Sequence, residues 1–170
     1  MKKLLLFAIV VIGFATSSFA QVNDEATSSV TIITPITITK NLNLEFGTIA
    51  VNNTAGTVEI KTNNTSSVTG GVTRPTVGGT INAAKFHVTG LPGATYTISL
   101  SPATITLKSG LNSMTAGTFT CSPAVGANGV LTGGAEDIYV GGVLTVGASQ
   151  AAGNYTTDAL GGIFVTVNYN

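Results

Sequence analysis

The strongest constraint on this chain is its period-two patterning. Beyond residue 20, Val, Ile and Thr alternate in segment after segment, and no window of helical length sets apolar side chains at i, i+3, i+4 and i+7 with good helix formers between them. Branched Cβ atoms suit a half-buried pleated surface and lose rotamer freedom in a helix. Paired turn residues punctuate these runs at Asn52-Asn53, Asn63-Asn64, Gly70-Gly71, Gly78-Gly79, Pro92-Gly93, Asn128-Gly129, Gly133-Gly134 and Gly141-Gly142. Strands are therefore expected over residues 30–39, 42–46, 57–62, 84–88, 95–100, 104–107, 117–121, 136–140, 143–146 and 162–169. Short strands with turn signals every 8–12 residues or so, and no helices to carry parallel crossovers, predict an all-β fold: an antiparallel immunoglobulin-like or pilin-like β-sandwich. A single Cys and no Trp restrict that expectation to general architecture.

The first twenty residues read as an address. Lys2 and Lys3 precede an apolar run over 4–15, and Ser18-Phe19-Ala20 closes it with a small-x-small triplet, the pattern of a signal peptide cut after Ala20. The run is too short for a hydrocarbon core of ~30 Å, which takes about 20 helical residues. No Cys follows it to take a lipid. The mature chain, 21–170, is expected to be a single β-sandwich domain without a membrane span, exported to the periplasm, cell surface or medium. Its residues 27–39 form a candidate N-terminal edge or donor strand.

Charge excludes more. Seven bases and seven acids give 8% charged residues, against about 25% in ordinary domains, and losing Lys2 and Lys3 leaves five bases against seven acids, near −2. Such a chain lacks the basic field that nucleic-acid binding uses. It also lacks the high net charge and low hydrophobicity that prevent folding. A lone Cys121 makes no internal disulfide, so core burial and hydrogen bonds must hold the fold. Cys121 reads as a small buried hydrophobe, with pairing between chains or a reactive thiol as the alternatives.

Both ends carry apolar faces. Val30, Ile32, Ile36 and Ile38 share one face of 30–39, with Pro35 removing a ladder donor and so favouring an edge position. Ile163, Val165, Val167 and Tyr169 share one face of the last strand, after which the chain stops at Asn170. These eight residues are the candidate strand-pairing positions.

Three C-terminal segments, Tyr139-Val140-Gly141-Gly142-Val143-Leu144-Thr145-Val146-Gly147-Ala148, Gln150-Ala151-Ala152-Gly153-Asn154-Tyr155 and Val165-Thr166-Val167-Asn168-Tyr169-Asn170, resemble an exported bacterial family, domain of unknown function 4402 (DUF4402). Leu42-Asn43-Leu44-Glu45-Phe46-Gly47-Thr48-Ile49, Ala84-Lys85-Phe86-His87-Val88-Thr89-Gly90 and Gly93-Ala94-Thr95-Tyr96-Thr97-Ile98 are similar to its earlier blocks. The resemblance covers nearly the whole mature chain and implies a compartment and a fold, but no activity. One departure stands out: where the family has a very short Gly-containing link after Tyr155, this chain inserts Thr156-Thr157-Asp158-Ala159-Leu160-Gly161-Gly162, which predicts a longer or bulged hairpin. A more distant likeness, through Gly-x-Tyr and the closing Val-Thr-Val-x-Tyr, is to spore-coat-U-type and fimbrial-subunit domains. It implies a secreted sandwich that assembles by strand addition, although fold likeness alone does not establish function.

Chemistry is sparse. His87 is the only histidine, and its neighbours Phe86 and Val88 take the inward positions, so it is expected to face solvent. One His, one Cys and no paired-ligand spacing exclude the usual zinc sites. The adjacent carboxylates Asp24-Glu25 and Glu136-Asp137 point to opposite faces of a strand and do not converge on one glycosidic bond. The Gly-rich stretches carry neither the dinucleotide fingerprint nor the P-loop lysine. Tyr96, Tyr139, Tyr155 and Tyr169 read as strand packers, with a sugar-binding face as the other reading.

The expectation is a non-enzymatic exported protein with no catalytic, cofactor or metal residues. The first reading is a structural or assembly protein of the cell surface or periplasm, a pilin-like or coat-like subunit pairing with itself or other subunits by strand addition. The alternative is an adhesin-type module that binds a surface glycan through the polar stretches 63–80 and 122–134.

Overall fold

A computed structural model describes residues 21–170; the expected export signal, 1–20, lies outside them. The chain divides into two units, Met1–Ile32 and Ile33–Asn170. In the first unit, residues 21–32 contain no helix or strand, and Val22, Val30 and Ile32 are about nine-tenths exposed (90%, 87% and 91%).

The second unit is all-β. Its strands are β1 (Thr37–Leu42), β2 (Glu45–Phe46), β3 (Ala50–Ile60), β4 (Ser66–Thr73), β5 (Ile81–Asn82), β6 (Ala84–Thr89), β7 (Thr95–Ser101), β8 (Thr104–Ser109), β9 (Asn112–Ser122), β10 (Gly129–Val130), β11 (Ala135–Val146), β12 (Thr156–Thr157) and β13 (Phe164–Tyr169). The main sheet runs β1-β6-β11-β9-β8-β12, with β3 and then β4 joined to β11 off that path. A three-stranded sheet, β10-β7-β13, and a short ribbon, β2-β5, complete the fold. Every ladder is antiparallel. The result is a sandwich whose main sheet curls into a half-barrel.

β11 is the spine. One edge pairs first with β6, from Ala135↔Thr89 to Val140↔Ala84, and then with β3, from Gly142↔Ile60 to Val146↔Gly56. The other edge pairs with β9, with a register shift between Gly141 and Val143. The partner change falls on Gly141-Gly142, expected above to be a turn between two strands. These glycines instead allow close approach. A Cβ on Gly141 would run into the Ile60 carbonyl oxygen, and one on Gly142 would lie 2.6 Å from the Phe119 ring.

Other differences have similar causes. Residues 63–80 were expected to be a polar connection with a turn at Gly70-Gly71, yet 66–73 form β4 against β3, with Thr57↔Thr69 and Gly56↔Gly70 in register. Their only large apolar residues are Val68 and Val72, too few to display alternation. Gly70, at φ +63°, sits where a side chain would strike the Ala55 carbonyl. Asn52-Asn53, another expected turn, lies in an irregular part of β3 between Val51 and Gly56 where the register shifts. The first strand starts at Thr37, not residue 30. Pro35 has no N–H to give to a ladder, and the partner strand β6 ends at Thr89, opposite Thr37, leaving nothing for residues 30–36 to pair with in that ladder.

Two clusters of buried side chains lie on the inner face of the curl. One gathers Ala84, Phe86, Val88, Tyr96, Ile138 and Val140 with others, under the three-stranded sheet. The second gathers Val58, Ile60, Ile105, Met114, Leu144 and Val146 with others from β3, β8, β9 and β11. Each fully buried Val or Ile contributes about 1.5–3 kcal/mol. Since both clusters are assembled on β11, disturbing the partner change should weaken both. Gly141→Ala is expected to cost about 2 kcal/mol through forced overpacking, read as a fall in the urea midpoint, whereas Gly78→Ala, whose new methyl meets nothing closer than 3.5 Å, should stay within about 0.5 kcal/mol of the parent.

Candidate functional site

The second cluster is itself closed, none of its members being more than 9% exposed. Over it opens a cleft of about 1140 Å³, larger than the roughly 300–1,000 Å³ of small-ligand sites. Its floor is apolar, made by Ile105 and Leu107 of β8, Met114 of β9, and Leu144 and Val146 of β11. One wall is the stretch from Leu44 to Val51. The other is the connection through Gln150, Tyr155 and Asp158 to Ile163 and Phe164. Phe164 is half exposed and Leu160, beside it in the lining, is 86% exposed.

Local bonds hold these walls. Tyr155 Oη donates to the Ala151 carbonyl at 2.7 Å, and Gln150 Nε2 donates to Tyr155 Oη at 2.9 Å and to Ser113 O at 3.3 Å. The stretch after Tyr155, expected above to lengthen or bulge the hairpin, supplies β12, paired to β8 through Thr156↔Lys108 and Thr157↔Leu107, and Lys108 Nζ bonds Asp158 at 2.6 Å. This stretch thus forms a short edge strand before the turn into β13. On the opposite wall Arg74 donates to Phe46 O at 2.7 Å and to Ser66 Oγ at 2.6 Å, tying β4 to β2. Partial burial lowers the pKa of that guanidinium from its ordinary value.

The eight candidate strand-pairing residues separate into three groups. Val30 and Ile32 are exposed and outside any strand. Ile36 and Ile38 pack against the Phe86–Val140 cluster, as do Val165 and Tyr169, while Val167 is buried within it. Ile163 touches both clusters and lines the cleft. β13 pairs with β7 from Phe164↔Ser101 to Tyr169↔Tyr96, and its other edge has no strand beside it among the described residues. Tyr169 closes its far end: Leu91 N–H donates to Tyr169 Oη at 2.6 Å, and that hydroxyl donates to the Thr34 carbonyl at 2.8 Å. A Cβ on Gly90 would strike the same hydroxyl.

The cleft-lining residues of β8, β9 and β11 were legible only as core. The signal for an opening lies in residues 147–162, where Tyr155 and Leu160 are the only large apolar side chains, so that stretch has no alternating face with which to cover the sheet. Of the two polar stretches considered for glycan binding, 63–80 gives residues 66–73 to β4.

A second polar group lies on the outer face of β6 and β11. His87 faces outward, with Phe86 and Val88 buried on either side. Its Nδ1 is 2.8 Å from Asp137 Oδ1, and Lys85 Nζ is 2.8 Å from Asp137 Oδ2 and 5.6 Å from the centre of the Tyr139 ring. Hydrogen bonds from Lys85 and then His87 pull the Asp137 carboxyl below its usual value, and the bond to Asp137 raises Lys85. The adjacent Glu136 points to the opposite face and accepts from Tyr96 Oη at 2.7 Å and Val130 N–H at 3.1 Å. Burial, then that bond, raises the Tyr96 phenol. Cys121 is half-buried and free; burial raises its thiol, and Sγ lies 2.8 Å from the Pro123 carbonyl. Among the described residues no three His, Cys, Asp or Glu side chains cluster to hold a metal ion, and no helix is long and apolar enough to cross a membrane.

The chain belongs to the family described as Domain of unknown function (DUF4402), whose family model matches residues 36–169. The matched stretch holds every strand, the cleft and the outer-face ion group, and begins after Val30 and Ile32. No curated protein and no solved structure matches the chain.

Asp137 carries a pH signature. A carboxyl whose folded pKa is depressed stabilises the fold above its unfolded value near 3.8, and that contribution fades as the pH falls through the folded value. Asp137→Asn should therefore melt below the parent at pH 7, and the gap in Tm should close as the pH drops below 3.8. A gap that stays constant down to pH 2 would contradict the ion group.

Proposed function

We propose that this chain is an exported structural subunit of the cell surface or periplasm, joined to further copies of itself by β-strand addition. The observation that carries this reading is a cleft at the start of the unpaired edge of β13, its lining including the exposed Leu160 and half-exposed Phe164, in a chain whose segment 21–32 exposes Val22, Val30 and Ile32. An exposed edge offers unpaired main-chain groups to another chain. In strand addition those groups supply affinity, and alternate side chains entering pockets supply specificity. Export is supported by the basic, apolar and small-residue order of the first twenty residues. Low charge fits a surface that meets its partner through apolar and main-chain contact, with little long-range steering.

The test is light scattering on the processed chain across a concentration series, beside Val30→Asp/Ile32→Asp in the same chain. The parent should grow from monomer to larger species as concentration rises. The double variant should remain monomeric with an unchanged circular dichroism spectrum, because neither side chain belongs to a buried cluster. A parent that stays monomeric at every concentration would overturn the proposal.

A further inference from the structure

We infer that the cleft beneath Phe164 receives the segment around Val30-Thr31-Ile32-Ile33 of a second copy, entering antiparallel to β13. This rests on the self-assembly reading above and adds the site, the occupant and its direction. The occupant follows from what is left unburied. Ile36 and Ile38 are already committed to their own core, so the large apolar side chains of 21–33 still exposed are Val22, Val30 and Ile32, with Ile33 half exposed (47%), and three of these four stand together at 30–33. Val30 and Ile32 alternate along the chain, as a strand presenting one face to an apolar floor requires. The cleft lining offers the half-buried Leu107 over the buried Met114, Leu144 and Val146, together with the exposed Leu160 and half-exposed Phe164 that an incoming strand would cover.

Direction selects a second copy over the chain's own segment. Tyr169 Oη holds the Thr34 carbonyl at the far end of β13, while the cleft lies at its beginning, at Ile163 and Phe164. A chain arriving at Thr34 from the cleft would run from the start of β13 toward its end, parallel to it. Every ladder of this fold is antiparallel, and antiparallel pairing is somewhat the stronger per residue. A segment supplied by another copy is free to enter in the antiparallel sense. Residues 21–33 span at most about 43–47 Å when extended, enough to bridge two neighbouring domains.

Two variants separate donor from acceptor. Ile32→Asp removes the donated face and leaves the cleft intact; Phe164→Asp charges the cleft mouth and leaves the donated face intact. Each alone should be monomeric, and an equal mixture should give a species of twice the monomer mass and nothing larger. Assembly of Phe164→Asp to the size of the parent would overturn the cleft as acceptor while leaving self-assembly standing, whereas a monomeric parent would remove both. Should either aspartate variant fail to fold, cysteine substitutions supply the same answer in a Cys121→Ser background. Mixed Ile32→Cys and Phe164→Cys chains should form a disulfide between copies on mild oxidation. Absence of that bond in an assembling parent, or a concentration-independent bond within one chain carrying both cysteines, would count against the second copy.

Discussion

Everything in this fold hangs on one strand that keeps one partner and changes another. β11 holds β9 along one edge while the other passes from β6 to β3 at Gly141-Gly142. The change is feasible because two successive residues without Cβ atoms let the Ile60 carbonyl and the Phe119 ring approach the strand. It also divides the sheet's inner face, since the half of β11 paired with β6 carries Ile138 and Val140 into one cluster and the half paired with β3 carries Leu144 and Val146 into the other.

The two halves meet different fates. β7, β10 and β13 lie over the first cluster, and a hydrogen-bonded Tyr96–Glu136 pair and the Tyr169 hydroxyl fasten that layer at its edges. Over the second there is only the β2-β5 ribbon on one side and the irregular run after β11 on the other. Of the large apolar side chains in the cleft lining, Leu160 is exposed and Phe164 half exposed, while Met114, Leu144 and Val146 beneath are buried. Here the exposed Leu160 and half-exposed Phe164 lie at the start of the unpaired edge of β13, so an added strand would gain side-chain burial and main-chain hydrogen bonds at one site.

Sequence reasoning reached the class and much of the layout because alternation is strong where strands are half-buried. Ala84 to Thr89 alternates buried and half-buried positions, as do Tyr96, Ile98 and Leu100, and these strands fall close to their expected bounds. The outward position of His87 and the opposed directions of Glu136 and Asp137 followed from the same periodicity. It failed where glycine did something other than turn the chain. At Gly141-Gly142 and Gly70-Gly71 the local signal for a bend is identical to that for close approach, and only the position of a distant carbonyl distinguishes them. The cleft was illegible for a related reason: Met114 and Leu144 look the same in sequence whether or not a second layer covers them. The ion pair between Lys85 and Asp137 depends on which residues of β6 and β11 stand beside each other, a register that neither strand encodes alone.

Amide hydrogen exchange on the assembled and dissociated protein tests the account most directly, because strand addition must convert free amides into ladder donors on both sides of the joint. Assembly should slow exchange at residues 29–33 and along 163–167 together, while β6 and β9, already paired on both edges, stay unchanged. Assembly that leaves both stretches exchanging as in the monomer, with protection arising elsewhere, would contradict it.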